Sequence, residues 1–147
     1  METLLTNPAA SLALLASGAF FMAGLLTGAW KYLCMRRSER REAPFYVNIA
    51  HRAALMYAVA SILIAIFAAL SALPNVVNVI SVLALVGFFA LAIVHYIKLG
   101  FTTTTNNHMR DSSNNRTHFL IMNLLTAAEI GGFAVLFTGV ITHWLSL

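Results

Sequence analysis

An all-α membrane protein, folded as an up-down bundle of four transmembrane helices, is the fold class this sequence predicts. Three observations carry that expectation. Four apolar stretches of roughly 20 to 28 residues follow one another, each long enough to cross a ~30 Å hydrocarbon core with some tilt. The 147 residues are 60% hydrophobic and only 10% charged, whereas a soluble domain carries about 25% charged residues. Such an apolar excess cannot hide in one aqueous core, so lipid must solvate much of it. Finally, the nine basic residues are not scattered. Lys31, Arg36, Arg37, Arg40, Arg41 and Arg52 stand at the join of the first two stretches, and Lys98, Arg110 and Arg116 at the join of the last two.

The first stretch predicts a helix from about Ala9 to Met35. Trp30 and Tyr32 fall where an aromatic belt is expected, beside Lys31, Arg36 and Arg37. Within it, Gly24-Leu25-Leu26-Thr27-Gly28, preceded by Ser17-Gly18, has the small-xxx-small spacing that lets a second helix approach closely. A polar link over 36–44 ends at Pro44, a helix-start residue. The second helix is expected over Phe45–Leu73, stopped by the Pro74-Asn75 turn signal. The third is expected over Val76–Leu99, with Gly100 placed as a C-terminal cap. A polar loop over 101–116, rich in Thr, Asn and Ser, then precedes a fourth helix over Thr117–Trp144. The link between the second and third helices is nearly absent, which makes them antiparallel neighbours in a single membrane domain.

Short loops rich in Lys and Arg stay in the cytoplasm. The expected orientation therefore has loops 36–44 and 101–116 cytoplasmic and both termini outside, in a bacterial inner membrane in preference to the endoplasmic reticulum. Basic residues gathered at two helix joins argue against nucleic acid as a partner. Cys34 is the only cysteine, so no internal disulfide and no Cys-based metal site can form. No P-loop or EF-hand motif is present, and no metal is expected.

Ionisable groups inside a membrane helix are costly, about 2.5–3.5 kcal/mol at the centre on insertion scales, and so mark candidate function. Glu129 falls near the middle of the fourth helix. His51 and Arg52 lie one to two turns into the second, and His95 about one turn from the end of the third. At 1.5 Å per residue, His51 and His95 share a depth, and Tyr57 lies about 9 Å deeper than His51. The outer half of the bundle offers far less polarity, so chemistry is expected in the cytoplasmic half. Each position also has a structural reading: snorkelling for Lys98 and Arg52, a hydrogen-bonded histidine for His51 and His95, a packed aromatic for Tyr57.

The stretch Ile49-Ala50-His51-Arg52-Ala53-Ala54-Leu55-Met56-Tyr57 resembles the second-helix signature of the MAPEG proteins (membrane-associated proteins in eicosanoid and glutathione metabolism). That signature has an Ala-His pair and a Tyr six residues after the His. His95-Tyr96-Ile97-Lys98-Leu99-Gly100 is similar to the family's His-containing end of helix three, and Arg116 at the start of helix four also agrees. Members that bind glutathione carry Arg, Asn and Glu where this chain has Ile49, Ala53 and Met56, so three polar partners of the tripeptide are replaced by apolar side chains. The resemblance implies a homotrimer with sites between subunits and a lipophilic small-molecule substrate drawn from the bilayer. It also implies a transferase or isomerase reaction with glutathione as the candidate cofactor. Catalytic roles then fall to Tyr57, Arg52 and Glu129, and cofactor binding to His51, His95, Lys98 and Arg116.

Ala50-His51 also looks like the haem-ligating pair of the styrene oxide isomerase and hydroxylaminobenzene mutase group, with Tyr57 where those enzymes have Asn. On that comparison haem b is the cofactor, with His51, and His95 at similar depth, as axial ligands. A third reading is a non-enzymatic scaffold in which Glu129 and the glycine faces serve assembly.

Overall fold

The computed structural model describes residues 6–102, 106–107 and 115–146. They form four helices: α1 (Pro8–Arg37), α2 (Phe45–Leu70), α3 (Asn75–Thr102) and α4 (Asn115–Leu145). All four are long and apolar enough to cross a bilayer, as a multi-pass membrane protein requires. The most extensive packing is α1 on α2, then α2 on α3 and α3 on α4. Helix α2 also touches α4 and α1 touches α3, so α2 and α3 form the middle of the bundle. One end carries the basic 38–44 link and is called the basic end below; the other carries the turn at Pro74.

Local chemistry sets the boundaries. Asn7 caps α1, its Oδ1 accepting from the amides of Ala9 and Ala10 at 3.0 and 3.1 Å. Pro8 occupies the first helical turn, where its missing N–H costs nothing. Helix α2 ends three residues before the expected Leu73. Ser71 turns extended, Pro74 disfavours helix at the residue before it, and the Ser71 hydroxyl donates to Asn78 Oδ1 at 2.9 Å. Asn78 in turn donates to the Leu73 carbonyl at 3.2 Å and is buried. Those bonds make the short link a built turn.

Gly100 is not a cap. Helix α3 continues to Thr102, and a Cβ at Gly100 would stand 2.7 Å from the Trp30 ring and 3.1 Å from Val47. The glycine serves close approach of three helices. Phe101, expected in the loop, stacks on Trp30 with ring centroids 4.2 Å apart. The remainder of the expected 101–116 loop falls mostly outside the described residues.

Helices α1 and α2 share one antiparallel register. Asn7 Nδ2 donates to the Ala68 carbonyl at 3.2 Å, Ser17 Oγ to the Ala58 carbonyl at 2.8 Å, and His51 Nδ1 sits 2.8 Å from the Gly24 carbonyl. The residue numbers of each pair add to 75, so the three bonds lie along one straight seam. Between them pack Ala10, Ala13, Ala54, Ala58, Ala65 and Ala68, all buried. Small side chains let the backbones come close enough for side-chain-to-carbonyl bonds.

Helix α4 behaves differently along its length. Leu136 and Val140 are buried near its end. Gly132 lies against Leu85, and Gly139 accepts the Ser71 side chain where a Cβ would overlap it. Its first half, Phe119 to Leu124, is exposed at every apolar residue. The apolar window of α4 is 17% buried, against 33–39% for the other three helices. The helix is anchored at the turn end and stands off the bundle at the basic end.

Candidate functional site

Where α4 stands off, a cavity of about 440 Å³ opens between α3 and α4. Phe88, Leu91 and His95 line it from α3, and Ile121, Met122 and Leu125 from α4. Tyr57 of α2 and Tyr96 of α3 also face it. The same two tyrosines line a second, smaller recess of about 230 Å³, with Arg52, Ile49, Ala53 and Met56 of α2. An apolar chamber and a recess carrying one guanidinium therefore share Tyr57 and Tyr96.

Spacing along α2 produces the recess. Ile49, Ala53, Met56 and Tyr57 recur at three- and four-residue intervals on one face. The opposite face, Val47, Ala50, Ala54 and Ala58, is buried. Tyr57 is held by stacking on Phe89, centroids 4.1 Å apart and planes within 11°. Tyr96 is steadied by Tyr46 at 6.5 Å. Both rings are fixed by neighbours, so their hydroxyls have set positions.

Glu129 follows Leu125 by one turn on the same face of α4. Its Oε1 is shielded and makes no hydrogen bond. Glu129 and Tyr96 both lie within electrostatic range of Tyr57. The carboxyl thus stands beyond the cavity on the side of the turn end.

Of the residues singled out from the sequence, Tyr57, Arg52 and His95 reach these two cavities, with Glu129 one turn past them. His51 lines neither. It faces α1, where a Cβ at Gly28 would meet its ring at 2.9 Å. A carbonyl only accepts, so Nδ1 donates to Gly24, and the neutral tautomer compatible with that bond has its lone pair on Nε2. That tautomer suits a metal ligand, but His51 turns to the α1 seam and His95 to the α3–α4 cavity. The pair does not converge on one haem within the chain. Lys98 and Arg116 are exposed and line neither cavity.

Glutathione fares little better. The recess offers one cation, Arg52, and the α2 positions beside it are apolar; a tripeptide with two carboxylates and an ammonium needs more partners than that. Among the described residues no cluster of three metal-ligating side chains occurs.

Tyr96, which the sequence offers only as the neighbour of His95 near the end of the third helix, was not among the expected site residues. Its role depends on which way α3 rotates against α2, which no local pattern reports. The small-residue pattern of α1 is spent inside the chain, on His51 and Leu55 of α2.

Protein-family models, curated proteins and solved structures contain no significant match to this chain.

Proposed function

We propose that this chain is a MAPEG-like membrane protein that takes a lipophilic small molecule, bearing one anionic or strongly polar group, into the cavity between α2, α3 and α4. One observation carries the reading: Tyr57 and Tyr96 join an apolar chamber to a recess with a single guanidinium. The apolar body would lie among Phe88, Leu91 and Leu125, and the polar group would reach Arg52. Tyr57 then donates a hydrogen bond to negative charge that develops on the bound molecule, the role expected in a transferase or isomerase reaction. The basic end faces the cytoplasm in this reading, and the ligand enters sideways from that leaflet. The standing-off half of α4, with its exposed Phe119, Leu120 and Leu124, supports assembly as a homotrimer in which a neighbouring copy completes the cavity wall.

Photolabelling tests it. The protein in lipid nanodiscs is exposed to a long-chain fatty acid bearing a diazirine on its tail, and the labelled peptides are mapped. The expected result is saturable labelling of residues 88–96 and 121–125, suppressed by excess unlabelled acid and weakened by Arg52→Gln. Labelling that rises linearly and spreads over all lipid-facing surfaces rejects the site. Conjugation of glutathione to 1-chloro-2,4-dinitrobenzene is the accompanying assay for transferase chemistry, which requires that a neighbouring copy supply the tripeptide partners this chain lacks. Tyr57→Phe keeps the ring on Phe89 and removes the hydroxyl, so any turnover should fall by about 10²–10³ while labelling persists.

A further inference from the structure

A third concavity, of about 480 Å³, lies at the basic end, away from the tyrosine cavity. It forms where α1 ends and the link to α2 begins, and Arg37 and Arg40 line it with Cys34, Ser38, Ala43, Pro44 and one carboxylate, Glu42, so the two guanidiniums outnumber the acid. The link is tightly wound. Ser38 N donates to the Cys34 carbonyl and Arg41 N to the Ser38 carbonyl, each at 3.1 Å. Arg41 takes a φ of 57°, a left-handed conformation that side chains of this size rarely adopt. Arg40, on this turn, lines the same concavity as Arg37. Among the described residues neither guanidinium is engaged in an ion pair with Glu39 or Glu42.

The surroundings identify the ligand class. Leu33 directly precedes Cys34 and is 46% exposed; Phe45 directly follows Pro44 and is 50% exposed. Exposed apolar side chains thus flank, at both ends in the chain, the segment that carries the two guanidiniums, where the apolar stretches of α1 and α2 meet the polar link. A ligand matching both features is an amphiphile with a phosphate head. Guanidinium pairs take phosphate oxygens through two-pronged charge-assisted bonds, and basic clusters beside a transmembrane helix attract anionic lipid.

We infer that Arg37 and Arg40 hold the phosphate of one anionic phospholipid, whose acyl chains run along Leu33 and Phe45. The site is independent of the tyrosine cavity, and either can fail alone. Native mass spectrometry of the detergent-purified protein, titrated with dioleoylphosphatidylglycerol or dioleoylphosphatidylcholine, tests it. The expected result is retention of one phosphatidylglycerol in preference to phosphatidylcholine, lowered roughly tenfold or more in R37Q/R40Q. The charge-matched pair K31Q/R36Q should keep most of that preference. Equal loss in the two double variants assigns the effect to net charge and overturns the site, as does equal retention of both lipids by the wild type. Displacement of the lipid by millimolar inorganic phosphate points to a free anion as the ligand and overturns the lipid assignment. Alkylation of Cys34 by a water-soluble maleimide gives a second readout. It should slow several-fold in phosphatidylglycerol vesicles and not in phosphatidylcholine vesicles; the same rate in both rejects the placement of the headgroup beside Cys34.

Discussion

The α1–α2 seam and the basic half of the α3–α4 pair are built from similarly apolar sequence, yet one is closed and the other open. Along the seam, alanines, Ser17, Gly24 and Gly28 bring the backbones together, and three hydrogen bonds in one register hold them. Across the α3–α4 pair, Phe88, Leu91, Met122 and Leu125 border a cavity of about 440 Å³. Hydrocarbon solvates a leucine as well as another leucine does, so bulk alone does not close a helix pair in a bilayer. Close backbone approach and polar bonds do. Helix α4 contains both regimes: glycines at 132 and 139 pack it down near the turn end, and its bulky first half stands away.

The difference can be broken most severely at Gly139. A Cβ there would overlap the Ser71 hydroxyl and come within 2.9 Å of Ser71 Cβ, and Ser71 is pinned by Asn78. Gly139→Ala should cost about 2–3 kcal/mol, measured as unfolding in mixed micelles with added dodecyl sulfate, and should open α4 along its whole length. Next comes Gly28→Ala, which drives a methyl into the His51 ring. About 1–2 kcal/mol is expected, with the seam loosened. If that variant unfolds like the wild type, the seam is softer than its geometry implies.

Removing single bonds should cost less. His51→Ala and Ser17→Ala each delete one side-chain-to-carbonyl bond, and bonds of this kind within membranes contribute about 0.6–1.7 kcal/mol. A much larger loss of activity than of stability in His51→Ala would reveal a use for its free Nε2. At the open side, Ala92→Leu adds volume beside the cavity, where Ala92 is among the lining residues. It should leave stability within about 0.5 kcal/mol, since unfilled space absorbs the added methyls. The same change should suppress fatty-acid photolabelling, which sharpens the contrast by separating occupancy from folding.

Much of this contrast is written in the order of residue sizes. Small residues at 17, 24 and 28 marked where α1 meets a partner closely, though Gly18 beside them faces open space, and the number of apolar stretches announced four spans. The intramembrane Tyr57, Arg52, His95 and Glu129 were visible as polar outliers in apolar helices. Their distribution among helix faces was not. His51 stands six residues before Tyr57 in the chain, yet it turns to α1 while Tyr57 turns to α3. Nothing local marks Tyr96 as a cavity residue; the rotation of α3 against α2 puts it in the same lining as Tyr57. Gly100 read as a helix stop because glycine ends helices often; here the crowding of Trp30 and Val47 required it.

By itself, the sequence determined the number, length and membrane compatibility of the helices, because hydropathy and chain length are local sums that any packing must respect. It also determined that one end of the bundle is basic. Tertiary structure alone decided which faces meet, that the seam takes His51 out of the cavity, and that α4 parts from α3 to leave room beside Tyr57. Those outcomes depend on helix rotation and on backbone distances across pairs remote in the chain, and a few small residues set such distances only once their partners are in place.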